Sequence, residues 1–158
     1  MRSLYLHIGH GKTGSSFLQS SFARSAKALR AADITYPLPR NAEAAAEGGI
    51  SSGNLRRFLD YQGAKKTNLF FSGEGFFPYF IIKQNQTILI EKIREISPDR
   101  ISVLLFIRDP VEHCCSSYQQ GIKGRSNTRS LSREFDIYAV PRRVKSALEF
   151  CSELGADI

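Results

Sequence analysis

Residues suited to binding an anion cluster in one short segment near the start of the chain. The segment His10-Gly-Lys-Thr-Gly-Ser-Ser16 holds one lysine, three hydroxyl side chains and two glycines within seven residues. Lys12 supplies a full positive charge, and the hydroxyls of Thr13, Ser15 and Ser16 supply hydrogen-bond donors. The chemistry these residue types predict is recognition of a phosphate or a sulfate group.

The residues on either side predict how this loop is held. Leu4 to Ile8 is apolar and predicts a β-strand, and a helix is predicted to follow the loop. The first N–H groups of that helix would point at the anion, and the helix dipole adds partial positive charge there. Gly9, Gly11 and Gly14 allow a tight turn and close approach to a ligand. The alternative is an ordinary strand-to-helix turn that needs glycines only for its geometry.

The loop is shorter than the nucleotide-binding motif Gly-x-x-x-x-Gly-Lys-[Ser/Thr]. Gly11-Lys12-Thr13 matches the end of that motif, but its first glycine would fall on Leu6, inside the predicted strand. A loop this tight fits one terminal anion better than a triphosphate chain.

A second segment has the same design. Val103 to Ile107 is uniformly apolar and predicts a parallel strand covered on both faces, with Arg108 at its carboxyl end. Ligands of open α/β sheets bind beyond the carboxyl ends of the strands, where an arginine offers a planar fork for phosphate. The alternative is that Arg108 forms a salt bridge with Asp109 or Glu112 and only orders the turn.

The residues after Arg108 predict a helix with a hydroxyl on it. Asp109 is a favourable N-cap, and Pro110 suits the first helical position. Ser116 follows about two turns into that helix.

Taken together, the two segments resemble the sulfotransferases that use 3′-phosphoadenosine 5′-phosphosulfate (PAPS). That family opens with a strand and a Lys-[Thr/Ser]-Gly-[Thr/Ser]-[Thr/Ser] loop, and later has a strand ending in Arg-[Asp/Asn]-Pro with a serine eight residues after the arginine. The resemblance implies that the loop residues bind the 5′-phosphosulfate and that Arg108 and Ser116 bind the 3′-phosphate. The matching loop residues are Gly11, Lys12, Thr13, Gly14, Ser15 and Ser16. His113 departs from the family, which usually has arginine there.

The resemblance also implies a fold and an activity. The fold is a three-layer α/β domain with a mostly parallel sheet flanked by helices, similar to P-loop NTPases, in a bacterial-type member of the family. The activity is transfer of a sulfuryl group from PAPS, as cosubstrate and without a metal, to an acceptor hydroxyl on a carbohydrate, a lipid-linked sugar or a small alcohol. Lys12 would stabilise the leaving group, as in other reactions that depend on positioning and electrostatics.

Two residues are candidates for the general base. Glu74 follows a predicted strand over 67–72 and resembles the glutamate that many bacterial members place there, where burial would raise its pKa. The alternative for Glu74 is pairing with Lys12 or capping the next turn. His10 is the competitor, because it lies two residues before Lys12, although it could serve only to order the loop.

Two other functions remain open. One is a kinase-like phosphotransferase that uses ATP. Two features argue against it: position 6 is not a glycine, and no acidic residue ends an apolar strand at a clear Mg²⁺ site. The other is a non-catalytic anion-binding module. The sequence also lacks Cys/His spacing typical of zinc sites.

The rest of the sequence predicts one α/β domain over residues 1–158. Phe17 to Ala32 has helical apolar spacing with Phe17 on the apolar face, and Ala156 to Ile158 begins a further strand. Because the alternation stops there, we expect the domain to lack its C-terminal part. The net charge is +7, with a basic run from Lys123 to Lys145 that favours anionic ligands near a cofactor site over nucleic acid. With no segment of membrane-spanning length and no signal peptide, we expect a cytoplasmic protein.

Overall fold

A four-stranded sheet, with all neighbouring strands parallel, organises the molecule. The computed structural model describes residues 1–47, 53–62, 67–125 and 128–158, and the sheet order is β2-β3-β1-β4. The strands are β1 (Ser3–Ile8), β2 (Ile34–Thr35), β3 (Asn68–Gly73) and β4 (Arg100–Leu104). The predicted α/β class with a parallel sheet flanked by helices is confirmed.

Helices connect the strands throughout the described ranges. They are α1 (Ser15–Arg24), α2 (Ala26–Ala31), α3 (Ala42–Ala46), α4 (Leu55–Leu59), α5 (Phe77–Ile81), α6 (Lys83–Ile96), α7 (Pro110–Arg125), α8 (Leu131–Asp136) and α9 (Val140–Glu153). A single 3₁₀ turn, Glu74–Phe76, joins β3 to α5. None of these helices is long and apolar enough to cross a membrane.

Strand β1 occupies the interior of the sheet, between β3 and β4. Leu4, Leu6 and Ile8 point to one face and are fully buried, as the two-residue period of a strand requires. They belong to a core that includes the aromatic rings of Phe71, Phe76 and Phe80 together with residues of α6 and α9. The strand is apolar because this face packs into the core, and its position between β3 and β4 determines where the loop after Ile8 leaves the sheet.

The connections leave the sheet in two directions. From β1 the chain moves towards β2, whereas from β3 it moves past β1 to β4. Right-handed crossovers in opposite directions place their helices on opposite faces of a sheet. Helix α1 packs against α3, while α5 packs against α6 and α9. The carboxyl ends of β1 and β3 therefore lie at a topological switch point, where open α/β sheets bind ligands.

The predicted helix over 17–32 is wrong in two respects. The structure has two helices that meet at Ser25, and Phe17 is 76% exposed rather than part of the apolar face. The buried residues of α1 are Ser15, Gln19, Ser20 and Ala23. Because Ser15 faces the sheet at the start of the helix, the 3.6-residue period turns Phe17 towards solvent.

The predicted strand at 103–107 also needs correction. Strand β4 ends at Leu104, and Leu104, Phe106 and Ile107 are 40%, 43% and 69% exposed. Among the described residues, β4 pairs with β1 on one side, and on its other side it makes a single parallel bridge, from Ser102 to Asp157, so this edge of the sheet is left largely open. The start of a further strand near the chain end is confirmed by that bridge.

The buried His7 should make the fold sensitive to acid. His7 is 1% exposed, its Nδ1 lies 2.7 Å from Ser72 Oγ, and burial lowers its pKa from 6.5 to about 4. The unfolded chain therefore binds a proton more readily than the folded chain below pH 6.5, so stability falls as the pH drops from 6.5 to 4. A shift of this size corresponds to about 3 kcal/mol.

The measurement compares urea unfolding of the wild type with that of His7→Asn at pH 7 and pH 4. Asparagine does not titrate and keeps a polar atom near Ser72. We expect the loss of stability between the two pH values to be smaller in His7→Asn by up to about 3 kcal/mol. Equal losses in both proteins would contradict the buried, neutral state of His7.

Candidate functional site

The anion-type loop joins β1 to α1 in an unusual backbone conformation. Lys12 has φ 69° and Gly14 has φ 83°, so both lie in the left-handed region, and α1 begins immediately afterwards at Ser15. For a residue with a Cβ atom this region is unfavourable, and it persists only where the surroundings enforce it. One enforcing contact is local, because Thr13 Oγ1 donates a hydrogen bond to the His10 carbonyl at 2.9 Å.

A close contact between Gly9 and Ser15 sets the entry of α1. A Cβ atom on Gly9 would lie 2.3 Å from Ser15 Oγ, a distance that leaves no room for any other residue at position 9 without movement of the serine. Ser15 is 1% exposed and lies in the first turn of the helix. The glycine therefore lets the helix terminus approach the end of β1, which brings the helix N–H groups to the loop.

Glu74 meets the loop from the neighbouring strand. In the parallel pairing of β1 with β3, Ile8 lies opposite Gly73, so Glu74 is the first residue beyond β3 at the level of the loop. A Cβ atom on Gly11 would lie 3.6 Å from Glu74 Oε2. Burial raises the pKa of Glu74, and the positive charge of Lys12 opposes that shift.

The loop, Glu74 and α7 enclose two cavities that share Lys12 and Gln120. The first, of about 320 Å³, is lined by Gly11, Lys12, Gly14, Ser15, Ser16, Glu74 and Gln120. The second, of about 290 Å³, is lined by Lys12, Ser116, Gln119, Gln120, Lys123 and Gly124. The structure thus brings the predicted residues Lys12, Glu74 and Ser116 to one place, with cations and hydroxyl groups on its walls.

Arg108 forms the salt bridge with Glu112 that the sequence analysis gave as the alternative to phosphate binding. Its Nε lies 3.2 Å from Glu112 Oε2, the pair is exposed, and Arg108 lines neither of the two cavities. Strand β4 ends at Leu104, so Arg108 follows it by four residues and is not the residue that ends the strand. The predicted cap is confirmed: Asp109 Oδ1 accepts hydrogen bonds from the backbone N–H groups of Val111 and Glu112.

His10 lies behind the loop rather than in either cavity. It is 7% exposed, and its Nδ1 is 3.1 Å from Nε2 of His113. The pKa of His10 is lowered, first by burial and then by the neighbouring His113, while a backbone hydrogen bond with Gly11 acts in the opposite direction. The imidazole is therefore held neutral and its Nδ1 is engaged, which suits an ordering role.

The sequence analysis did not name Gln120, and it named His113 only as a departure from the family and Lys123 only as the start of the basic run. Gln120 and Lys123 line the cavities, and His113 contacts the loop from below. All three share one face of α7 with Ser116, because positions 113, 116, 120 and 123 repeat at helical spacing. Helical periodicity applied to α7 would have found them once Ser116 was placed at the site.

Other parts of the described chain offer less chemistry. A larger cavity of about 730 Å³ lies between α2, β2 and α4, with Lys27, Arg30 and Arg57 among its lining residues, and it holds none of the residues predicted to act. Within residues 1–47, 53–62, 67–125 and 128–158, no group of three His, Cys, Asp or Glu side chains could hold a metal ion.

Comparison with known proteins adds no relative. No family model, curated protein or solved structure matches the chain.

The contact between Gly9 and Ser15 gives a direct test of how the loop is built. Gly9→Ala should destabilise the fold by about 1–3 kcal/mol, because the added methyl group overlaps Ser15 Oγ. The double variant Gly9→Ala/Ser15→Ala should recover most of that loss, since the overlapping oxygen is gone. Gly11→Ala is the matched control, with its nearest neighbour at 3.6 Å and an expected change within about 0.5 kcal/mol. Urea unfolding of the four proteins measures these differences, and an undisturbed Gly9→Ala would contradict the close packing.

Proposed function

We propose that the protein is a sulfotransferase that takes PAPS as its cosubstrate and sulfates an acceptor hydroxyl. The observation that carries the proposal is the position of Lys12, which borders both cavities. Ser15, Ser16 and Glu74 surround it in one cavity, and Ser116 and Lys123 in the other. In the proposed fold, which is that of P-loop-like sulfotransferases, these two cavities take the two anionic ends of one ligand.

The donor sets of the two cavities fit such a ligand. At the start of α1, backbone N–H groups, two serine hydroxyls and Lys12 converge, which suits a terminal phosphosulfate. Ser116 and Lys123 form a second polar wall that suits a separate phosphate. A nucleoside triphosphate carries its charges in one continuous chain, for which the short loop offers less room.

The proposed transfer uses two residues that line the first cavity, Lys12 and Glu74. The acceptor oxygen attacks sulfur, and the bond from sulfur to the bridging phosphate oxygen breaks, leaving its electron pair on that oxygen. Lys12 stabilises the negative charge on the leaving oxygen, and Glu74 takes the proton of the acceptor hydroxyl. The raised pKa of the Glu74 carboxyl makes its ionised form a stronger base than an exposed glutamate.

Arg108 remains part of the proposal despite its pairing with Glu112. The pair is exposed and joins residues four apart across the start of α7, so separating it costs about 0.2–1 kcal/mol. A charge-assisted contact with phosphate is worth more than that, about 1.5–3 kcal/mol. A bound 3′-phosphate therefore has enough affinity to draw the guanidinium away from Glu112.

Binding of the product nucleotide tests the proposal without knowledge of the acceptor. By isothermal titration calorimetry, 3′-phosphoadenosine 5′-phosphate should bind without metal and more tightly than adenosine 5′-phosphate. Lys12→Ala should weaken binding of both ligands about 10- to 100-fold, because it removes a charged partner of the 5′-phosphate. Ser116→Ala should weaken only the ligand that carries the 3′-phosphate, by about fivefold.

Lys145→Ala is the control for lost charge, because Lys145 lies on α9 and is paired with Glu149. Its affinities should equal those of the wild type. Equal binding of the two nucleotides, or tighter binding of ATP with Mg²⁺, would reject the PAPS assignment, and the second result would favour a kinase-like phosphotransferase.

Because Glu112 and the 3′-phosphate would compete for Arg108, removing the Glu112 charge should increase the affinity for the nucleotide. Glu112→Gln should tighten binding of 3′-phosphoadenosine 5′-phosphate about twofold, because the guanidinium no longer has to leave a carboxylate. In an Arg108→Ala background the same substitution should have no effect. Calorimetry on the four proteins of this cycle measures the coupling, and an equal gain in both backgrounds would show that Arg108 does not reach the ligand.

A further inference from the structure

A buried chain of hydrogen bonds links the loop to two distant parts of the protein. His113 of α7 is 5% exposed, and its Nε2 lies 2.7 Å from the Gly11 carbonyl oxygen and 3.1 Å from His10 Nδ1. Its other ring nitrogen, Nδ1, lies 2.7 Å from the hydroxyl of Tyr138, in the connection between α8 and α9. Ser117 Oγ lies at 3.5 Å from the same nitrogen, too far for a strong bond.

The partners of His113 fix where its proton lies. A carbonyl oxygen can only accept, so Nε2 of His113 carries the proton and donates it to Gly11. In the neutral ring Nδ1 then accepts, and Tyr138 donates its hydroxyl proton to it. Burial raises the pKa of Tyr138, the nearby Asp109 carboxylate adds to that shift, and the phenol keeps its proton. His10 Nδ1 faces the same N–H as a second acceptor.

The bond to Gly11 acts on the strained residue that follows. The Gly11 carbonyl and the Lys12 N–H belong to one planar peptide unit, so holding that oxygen fixes the plane about which φ of Lys12 is set. Thr13 holds the preceding carbonyl, that of His10, in the same way. Left to itself, a lysine would leave the left-handed region, because φ 69° is unfavourable for a side chain with a Cβ atom.

From these contacts we infer that His113, oriented by Tyr138, is a positioning residue that holds the Gly11–Lys12 peptide in its ligand-binding conformation. The His113 tautomer that holds the peptide is the one with the proton on Nε2, because that nitrogen donates to the Gly11 carbonyl. The part of this inference that concerns ligand affinity rests on the proposed function, whereas the part that concerns the backbone of Lys12 does not.

The test reads the loop conformation and the ligand affinity separately. Nuclear magnetic resonance of the full chain gives the tautomer of His113 from its ring nitrogens and φ of Lys12 from backbone couplings and shifts. In the wild type we expect the Nε2–H tautomer and a left-handed Lys12. In His113→Leu, which has no donor, Lys12 should leave that region, and affinity for 3′-phosphoadenosine 5′-phosphate should fall about tenfold.

Two further variants keep the test decisive if His113→Leu does not fold. His113→Gln retains an N–H donor and should restore a left-handed Lys12 and an affinity within about threefold of the wild type. Tyr138→Phe removes only the hydroxyl, so the His113 ring should populate both tautomers and the affinity should fall about threefold. Ser117→Ala is the matched control on α7 and should change neither reading.

The outcomes separate the two ideas. A left-handed Lys12 in a folded His113→Leu would overturn the positioning role of His113. A tautomer of His113 that Tyr138→Phe leaves unchanged would overturn the orienting role of Tyr138. If the wild type does not bind the nucleotide but Lys12 still leaves the left-handed region in His113→Leu, the positioning role stands and the sulfotransferase proposal fails.

Discussion

The parallel pairing of β1 with its two neighbours is the constraint on which the rest of the site depends. Because β1 lies between β3 and β4 and all three run the same way, the segments that follow them emerge at one edge of the sheet. Glu74 comes to the loop from one side and α7 from the other. A shift of the β1–β3 register by one residue would reverse every side chain of β1 between core and opposite face, so the buried Leu4, Leu6 and Ile8 also fix the site.

The sheet is maintained at its edges by side chains as well as by strands. Strand β2 has only two residues, and beyond it Asn54 takes over the role of a strand neighbour. Its Nδ2 donates to the Pro37 carbonyl, its Oδ1 accepts from the Ser72 N–H, and its own N–H donates to the Ser72 carbonyl. Asn54 is 1% exposed, so these bonds form away from water, where a missing partner is costly. They hold the carboxyl end of β3, and therefore Glu74, in place.

Much of the local structure follows from residue types alone. The apolar run of β1, the glycine-rich turn and the helix after it were predictable, because period-two burial, glycine geometry and helix initiation are properties of adjacent residues. The Asp109 cap was predictable for the same reason. The composition of the loop likewise indicated an anion site before any geometry was known. Predictions failed where the outcome depends on which distant segments cover a residue. The apolar run from Val103 to Ile107 has the composition of a strand covered on both faces, but most of it is exposed because it lies at the edge of the sheet.

What the sequence by itself determined, then, is the set of elements and the chemistry carried by the loop from Gly11 to Ser16. Only the tertiary structure decided which distant residues join that loop. It placed Glu74 and Ser116, which the resemblance had already named, in cavities that share Lys12. It also paired Arg108 with Glu112 and brought His113, with Tyr138 bound to it, to the Gly11 carbonyl. The physical reason is that hydrogen bonds across a hundred residues depend on strand order and helix packing, and neither is encoded in the spacing of neighbouring residues.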